Sequence, residues 1–137
     1  MATFNKFESF VEKLAHNAVK LDTHQIMFAL TNTAPNPSAH SVLSDLTQIN
    51  YDNLDGNRNI TTTSSGQSDG VYALFLTNKE FAANGELGPF RYIVLYDSEG
   101  ADSPLIGFYD YGSAVTMQDG DTFTIEFDQV DGAITIE

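Results

Sequence analysis

The chain of 137 residues contains no cysteine and no tryptophan, only four prolines, and six lysines and arginines against nineteen acidic side chains. Without cysteine there is no disulfide, no thiolate nucleophile and no cysteine-ligated metal, and the redox compartment leaves no trace in the sequence. The formal net charge of −13 disfavours phosphate backbones and anionic lipid, both of which call for clustered Lys and Arg. It suits solubility or a partner with a basic patch. No apolar run approaches the ~18 residues of a membrane-spanning helix, and the N-terminus lacks the apolar core of a signal peptide. The sequence therefore predicts neither a membrane nor a nucleic-acid partner.

What is present is globular. Hydrophobic residues make up 42% of the chain, enough for the core of one domain over residues 1–137. Near the N-terminus, Phe4, Phe7, Val11, Leu14, Ala18 and Leu21 recur at alternating spacings of three and four, and Phe10 widens the stripe. This spacing predicts an amphipathic helix over about residues 3–21, with Thr3 available as N-cap. Its apolar face packs on the chain's own sheet or docks on a neighbouring subunit.

From about residue 24 to 137 the pattern is that of strands. The runs HQIMFALTN and VYALFLTN are apolar on both faces, and RNITTT is β-branched and polar. Pro35 and Pro37 break the chain after the first run, and SSGQSDG reads as a flexible connection. GPFRYIVLYD, PLIGFYDYG and DTFTIEFD follow, and Asp131-Gly132 marks a turn into AITIE. About seven or eight short strands behind one helix predict a mainly β fold, a β-sandwich or jelly-roll-like barrel.

The chemical motifs are weak. GQSDG at 66–70 fits the G-x-S-x-G pattern of a nucleophile elbow at Ser68, but a polar run precedes it and His16, His24 and His40 all lie upstream. YDNLDGNRN resembles a calcium loop, yet Tyr51 and Thr62 stand where the first and last carboxylates belong. Acidic turns at Asp119, Asp121, Asp128 and Asp131 read as surface turns, with a weak cation held between them as the alternative, and Asn59-Ile60-Thr61 is a formal glycosylation sequon without a secretory signal. No catalytic residue, metal ligand or cofactor-binding residue is assigned, and the chain is not expected to be an enzyme. Tyr92, Tyr96, Tyr109 and Tyr111 would give a carbohydrate-binding module its stacking faces if they stood exposed together.

The segments FNKFESFVEKLA, FALTNTAPN, SVLSDLTQI, GPFRYIVLYD, LIGFYDYGS and GDTFTIEFD together resemble a family of small virion structural proteins of tailed bacteriophages. Such proteins are similar to capsid decoration, or cement, proteins. The resemblance implies a non-enzymatic protein made in the host cytoplasm and carried on the capsid exterior. It also implies a homo-oligomer, commonly a trimer, bound to the major capsid protein; a tail or neck component is the alternative. Phe4, Phe7, Phe10 and Val11 on the helix, and Pro35 and Pro37 in the loop, are the candidate adhesive residues. Arg91 is the last cation of the chain, and the 46 residues after it hold ten carboxylates. It is expected to anchor the rim of its strand by pairing with one of those carboxylates, within the chain or across a subunit boundary. Alternation places Phe90, Tyr92, Val94 and Tyr96 on one face of that strand and Arg91, Ile93 and Leu95 on the other.

Overall fold

The computed structural model describes residues 2–137, which form three antiparallel sheets and one short α-helix. The five-stranded sheet has the order β1 (Phe4–Lys6), β9 (Leu105–Met117), β8 (Leu87–Asp97), β2 (Ile26–Thr31) and β4 (Asn59–Ile60). A second sheet joins β10 (Thr122–Ile125), β7 (Lys79–Ala83) and β3 (Leu54–Asp55), and a third joins β11 (Ile134–Ile136), β6 (Val71–Leu76) and β5 (Thr62–Ser68). The helix α1 covers Glu8–Ala15 alone.

The helix is much shorter than the 3–21 its stripe predicts, for two reasons. At the front, Phe4, Asn5 and Lys6 pair with Tyr109, Phe108 and Gly107 of β9, and the Phe7 amide donates to Ile106 O at 3.1 Å. A partner strand satisfies these backbone groups better than a frayed helical turn would. At the back, Asn17 takes a left-handed φ of 61°. Its amide reaches Leu14 O at 3.2 Å while the Ala18 amide reaches Lys13 O at 2.8 Å, the paired bonds of a Schellman ending.

The two faces of the five-stranded sheet bury different clusters. Ile26, Phe28 and Leu30 of β2, with Ile93 and Leu95 of β8, join Leu74 and Leu76 of β6, Phe81 of β7, Ile125 of β10 and Ile134 of β11 in the larger one. Aromatic pairs cross between sheets there: Phe28 lies 5.2 Å from Phe81, and Phe90 lies 5.5 Å from Phe123. On the opposite face, Phe7, Ala29, Tyr92, Val94, Tyr96, Leu105 and Phe108 form a second cluster that Met27, Leu43 and Leu46 help to cover. The apolar character of β2 and β8 on both sides follows from this double burial.

Register irregularities decide which face each residue takes. Between Phe90 and Tyr92 the pairing with β9 jumps from Val115 to Asp110, a bulge that breaks simple alternation. Phe90 therefore joins Ile93 and Leu95 in the larger cluster, not Tyr92, Val94 and Tyr96 as alternation predicts. SSGQSDG also departs from expectation: instead of a loose connection it supplies most of β5, which returns through Asp69 (φ 52°) and Gly70 (φ 82°) into β6. Two adjacent positive-φ residues are the turn that twists two strands together. The strand β7 lies between the runs VYALFLTN and GPFRYIVLYD, in a segment to which the sequence pattern assigns no strand. The Asp131-Gly132 turn does lead into a strand, but β11 pairs with β6 whereas β10 pairs with β7, so the two belong to different sheets.

Gly107 lets β1 cross β9. A Cβ there would stand 2.7 Å from the Asn5 carbonyl oxygen and nearer still to the Phe4 ring, so a side chain would push the first strand away. Among the described residues no helix is long and apolar enough to cross a membrane.

Candidate functional site

Polar side chains gather at three places, and at each the bonds serve the chain itself. The first is built on Asp97, the residue that closes the apolar run of β8 and is 1% exposed. Its Oδ1 accepts the amides of Glu99 at 2.9 Å and Gly100 at 3.0 Å. Its Oδ2 accepts the Lys20 amide at 3.2 Å and lies 2.7 Å from His24 Nδ1. A buried carboxylate with four hydrogen-bonding partners ties the chain after α1 to the β8–β9 connection. A His–Asp pair is two-thirds of a hydrolytic triad, but among the described residues no hydroxyl hydrogen-bonds to the His24 ring.

The second place is Arg91, whose Nε and Nη2 reach Asp110 Oδ1 and Oδ2 at 2.8 and 3.1 Å. Asp110 faces Tyr92 across the ladder, and the guanidinium carbon lies 5.3 Å from the Tyr92 ring centre. The bond from Arg91, reinforced by the Gly112 amide, holds the Asp110 carboxyl below the usual carboxylate range and raises Arg91 in turn. The pairing expected for Arg91 is thus a bidentate bridge inside one chain, across the bulge that displaced Phe90.

At the third place Arg58 meets no carboxylate among the described residues. Its Nη1 donates to Phe28 O at 3.0 Å and to the Tyr96 hydroxyl at 3.2 Å, and its guanidinium lies 4.2 Å from the Tyr51 ring centre. Tyr51 in turn accepts the Leu30 amide at 2.9 Å and donates to Gln48 at 2.7 Å. Burial raises its phenol above the ordinary value, and this network pins the connection before β4 onto β2.

The expected adhesive residues divide. Phe7 and Phe10 are 0% and 2% exposed, so both are spent on the chain's own core. Phe7 joins the second cluster, its ring 5.4 Å from that of Phe108, and Phe10 joins the larger one. Pro35 is buried, and the carbonyl of half-buried Pro37 accepts the Glu8 amide at 3.0 Å, so the proline loop is held at the start of α1. Phe4 is half-buried against Tyr109, whereas Val11 is 53% exposed. Val11 and Ile136 flank a groove of ≈ 530 Å³ between α1 and β11, with Phe4, Phe10, Leu14 and Ile134 along its walls. A larger, more open depression of ≈ 650 Å³ continues past Leu14 and Ile136 towards Lys20, Ser65 and Tyr72.

The remaining motifs stay apart. Ser68 ends β5 at a β-hairpin turn, not at a strand-to-helix elbow. None of the three histidines bonds to it: His16 is nearest Glu12, His24 meets Asp97, and His40 accepts the Asn36 amide. Among the described residues no three His, Asp or Glu side chains converge as a metal-ligand set. Asp121 accepts the Gln118 amide at 2.8 Å, while Asp128 accepts the amides of Val130 and Asp131, which hold its carboxyl below the usual range. Tyr92, Tyr96 and Tyr109 are at most 9% exposed and lie on two faces, leaving no shared stacking platform for a sugar.

Sequence reasoning missed Asp97, His24 and Arg58. The one legible signal was an aspartate directly after the apolar run IVLY, where a buried strand ends. No family model, curated protein or solved structure matches the chain.

Proposed function

We propose that the protein is a virion structural protein of a tailed bacteriophage, a decoration protein that binds the major capsid lattice on the outside of the shell by non-covalent contacts. The resemblance of six ordered segments raises this reading, and one structural observation supports it. The buried or bridged polar groups, Asp97 with His24, Arg91 with Asp110 and Arg58 with Tyr51, are engaged in holding strands and connections together. Such an arrangement suits a part whose task is to be rigid and to adhere.

The packing of the five-stranded sheet on the two smaller sheets across one shared cluster favours a sandwich of the jelly-roll kind. In this reading the acidic surface keeps free copies soluble and meets basic residues of the shell. The exposed apolar side chains along the groove, Val11 and Ile136, supply the apolar part of the contact.

The test is to add the purified protein to capsids assembled without it. Saturable binding in a fixed ratio to the major capsid protein, with a higher melting temperature of the shell, is the expected result. No binding to such capsids, or recovery of the protein in tails alone, overturns the assignment.

A further inference from the structure

Six strands stand at the ends of sheets, and five of them are short: β1, β3, β4, β10 and β11 have three, two, two, four and three residues. Short length is one of the usual ways a fold blunts an open edge. The sixth, β5, has seven residues and is exposed from Thr63 to Ser68. One side of it pairs with β6, in regular register from Ser64–Phe75 to Ser68–Val71, and among the described residues the other side carries no strand. Alternate residues of such a strand aim both amide and carbonyl at solvent.

The other protections are weak here too. The strand, TTSSGQS, has no proline and no charged residue, and its one irregularity lies at its first end, between Thr62 and Ser64. In a chain of net charge −13, the segment from Asn59 to Asn78 carries one charged side chain, Asp69. On the outward side of this sheet Val71, Ala73 and Phe75 are half-buried and stand opposite Ser68, Gly66 and Ser64.

We infer that β5 is a self-pairing edge, which joins the β5 strand of a second copy antiparallel about a two-fold axis to give one continuous six-stranded sheet. Charge selects the occupant. Two copies repel over most of their surface, and this uncharged segment lets an approach avoid most of that repulsion. A two-fold axis near Ser65 or Gly66 puts each Asp69 opposite Thr61 or Thr63 of the other copy. The two Asp69 residues then lie about 27 Å apart along the ladder with the axis at Ser65 and about 20 Å apart with it at Gly66, in both cases well beyond the screening length of roughly 8 Å at physiological salt. The facing side chains are Ser, Thr, Gly and Gln, which can hydrogen-bond across strands. An edge contact of a few residues is at the small, weak end of protein interfaces, so the dimer is expected only at high concentration. The inference rests on the edge alone and stands or falls independently of the virion reading.

Sedimentation velocity from about 5 μM to 1 mM, paired with amide hydrogen exchange at both ends of that range, tests it. The expected result is a reversible dimer at high concentration, with exchange slowed at residues 63–67. The double variant Ser64→Glu, Gln67→Glu keeps an acceptor for the Gly70 amide and brings like carboxylates diagonally close across the axis, those at position 64 with the axis at Ser65 and those at position 67 with it at Gly66. It should weaken the dimer at least tenfold while Ser64→Gln does not. A monomer at 1 mM overturns the inference, as does a dimer whose slowed amides lie elsewhere or whose constant the double variant leaves unchanged. The hydrogen-exchange arm uses the wild-type protein, so the outcome does not depend on the variant folding.

Discussion

Replacing Phe7 with alanine separates a helix stripe used for docking from one used for folding. Phe7 is 0% exposed, its ring lies 5.4 Å from that of Phe108, and it shares the second cluster with Ala29, Val94 and Leu105. Phe→Ala at a fully buried site costs about 3–5 kcal/mol, the transfer energy of the ring plus the cavity it leaves. For a domain of this size each kcal/mol moves the midpoint by roughly 3–5 °C, so melting should fall by about 9–25 °C. Val11 lies one turn further on, inside α1, but is 53% exposed, and Val11→Ala should stay within about 0.5 kcal/mol of wild type. Urea unfolding and thermal melts of both variants, at matched protein concentration, make the comparison. Hydrogen exchange adds a local signature: the Leu43 and Leu105 amides, which bond to Ser103 O and Ser41 O, should lose protection as the cover of the second cluster loosens. If Phe7→Ala costs no more than Val11→Ala, the second cluster is not a core and the reasoning from burial fails.

Asp97→Ala leaves three amides and His24 without their acceptor and should cost about 2–4 kcal/mol in urea unfolding; an unchanged midpoint would mean that solvent replaces the carboxylate freely. Asp110, Asp128 and Asp45 all have carboxyls held below their ordinary values, chiefly by Arg91 for the first and by backbone amides for the others. A depressed folded-state value stabilises above the unfolded value of about 4, and that contribution is lost as pH falls through the folded one. Stability should therefore decline below about pH 4, and Asp110→Asn should flatten that decline in pH-dependent melts. At the alkaline end Tyr111 is pushed up to about 12 by burial, and Tyr109 is raised further by the same cause. The unfolded chain releases these protons near pH 10 while the folded one holds them, so stability should fall as pH rises past about 10; a flat profile there would refute the burial of both rings. Gly107→Ala should detach β1, read as loss of protection at the Phe7 amide together with a lower melting temperature.

Local pattern was enough to find much of the secondary structure. A mainly β chain with one N-terminal helix and the two-sided apolar run of β2 follow from side-chain period. VYALFLTN, also read as apolar on both faces, buries only Leu74 and Leu76 of β6 and leaves Val71, Ala73 and Phe75 half-buried on the outer side. The helix stop escapes the pattern: the stripe continues to Leu21 and outweighs Asn17, although asparagine is one of the few residues that adopts a left-handed φ cheaply. For the candidate sites the sequence supplied Arg91 and its need for a carboxylate, but Asp110 became the partner through a bulge that no spacing rule announces.

Long-range pairing decided the rest. Phe4 belongs to a strand because β9 offers it a ladder, and SSGQS is a strand because β6 lies beside it; neither partner is local to the segment it orders. Phe7 and Phe10 look alike in the helical stripe, yet they enter different clusters on opposite faces of one sheet. The amino-acid sequence by itself determined composition, charge, the absence of thiol chemistry and the apolar periods of the main strands. Which edges meet, which rings are covered and which carboxylate answers which cation came from tertiary structure, because backbone hydrogen bonds and burial are satisfied between segments far apart in the chain.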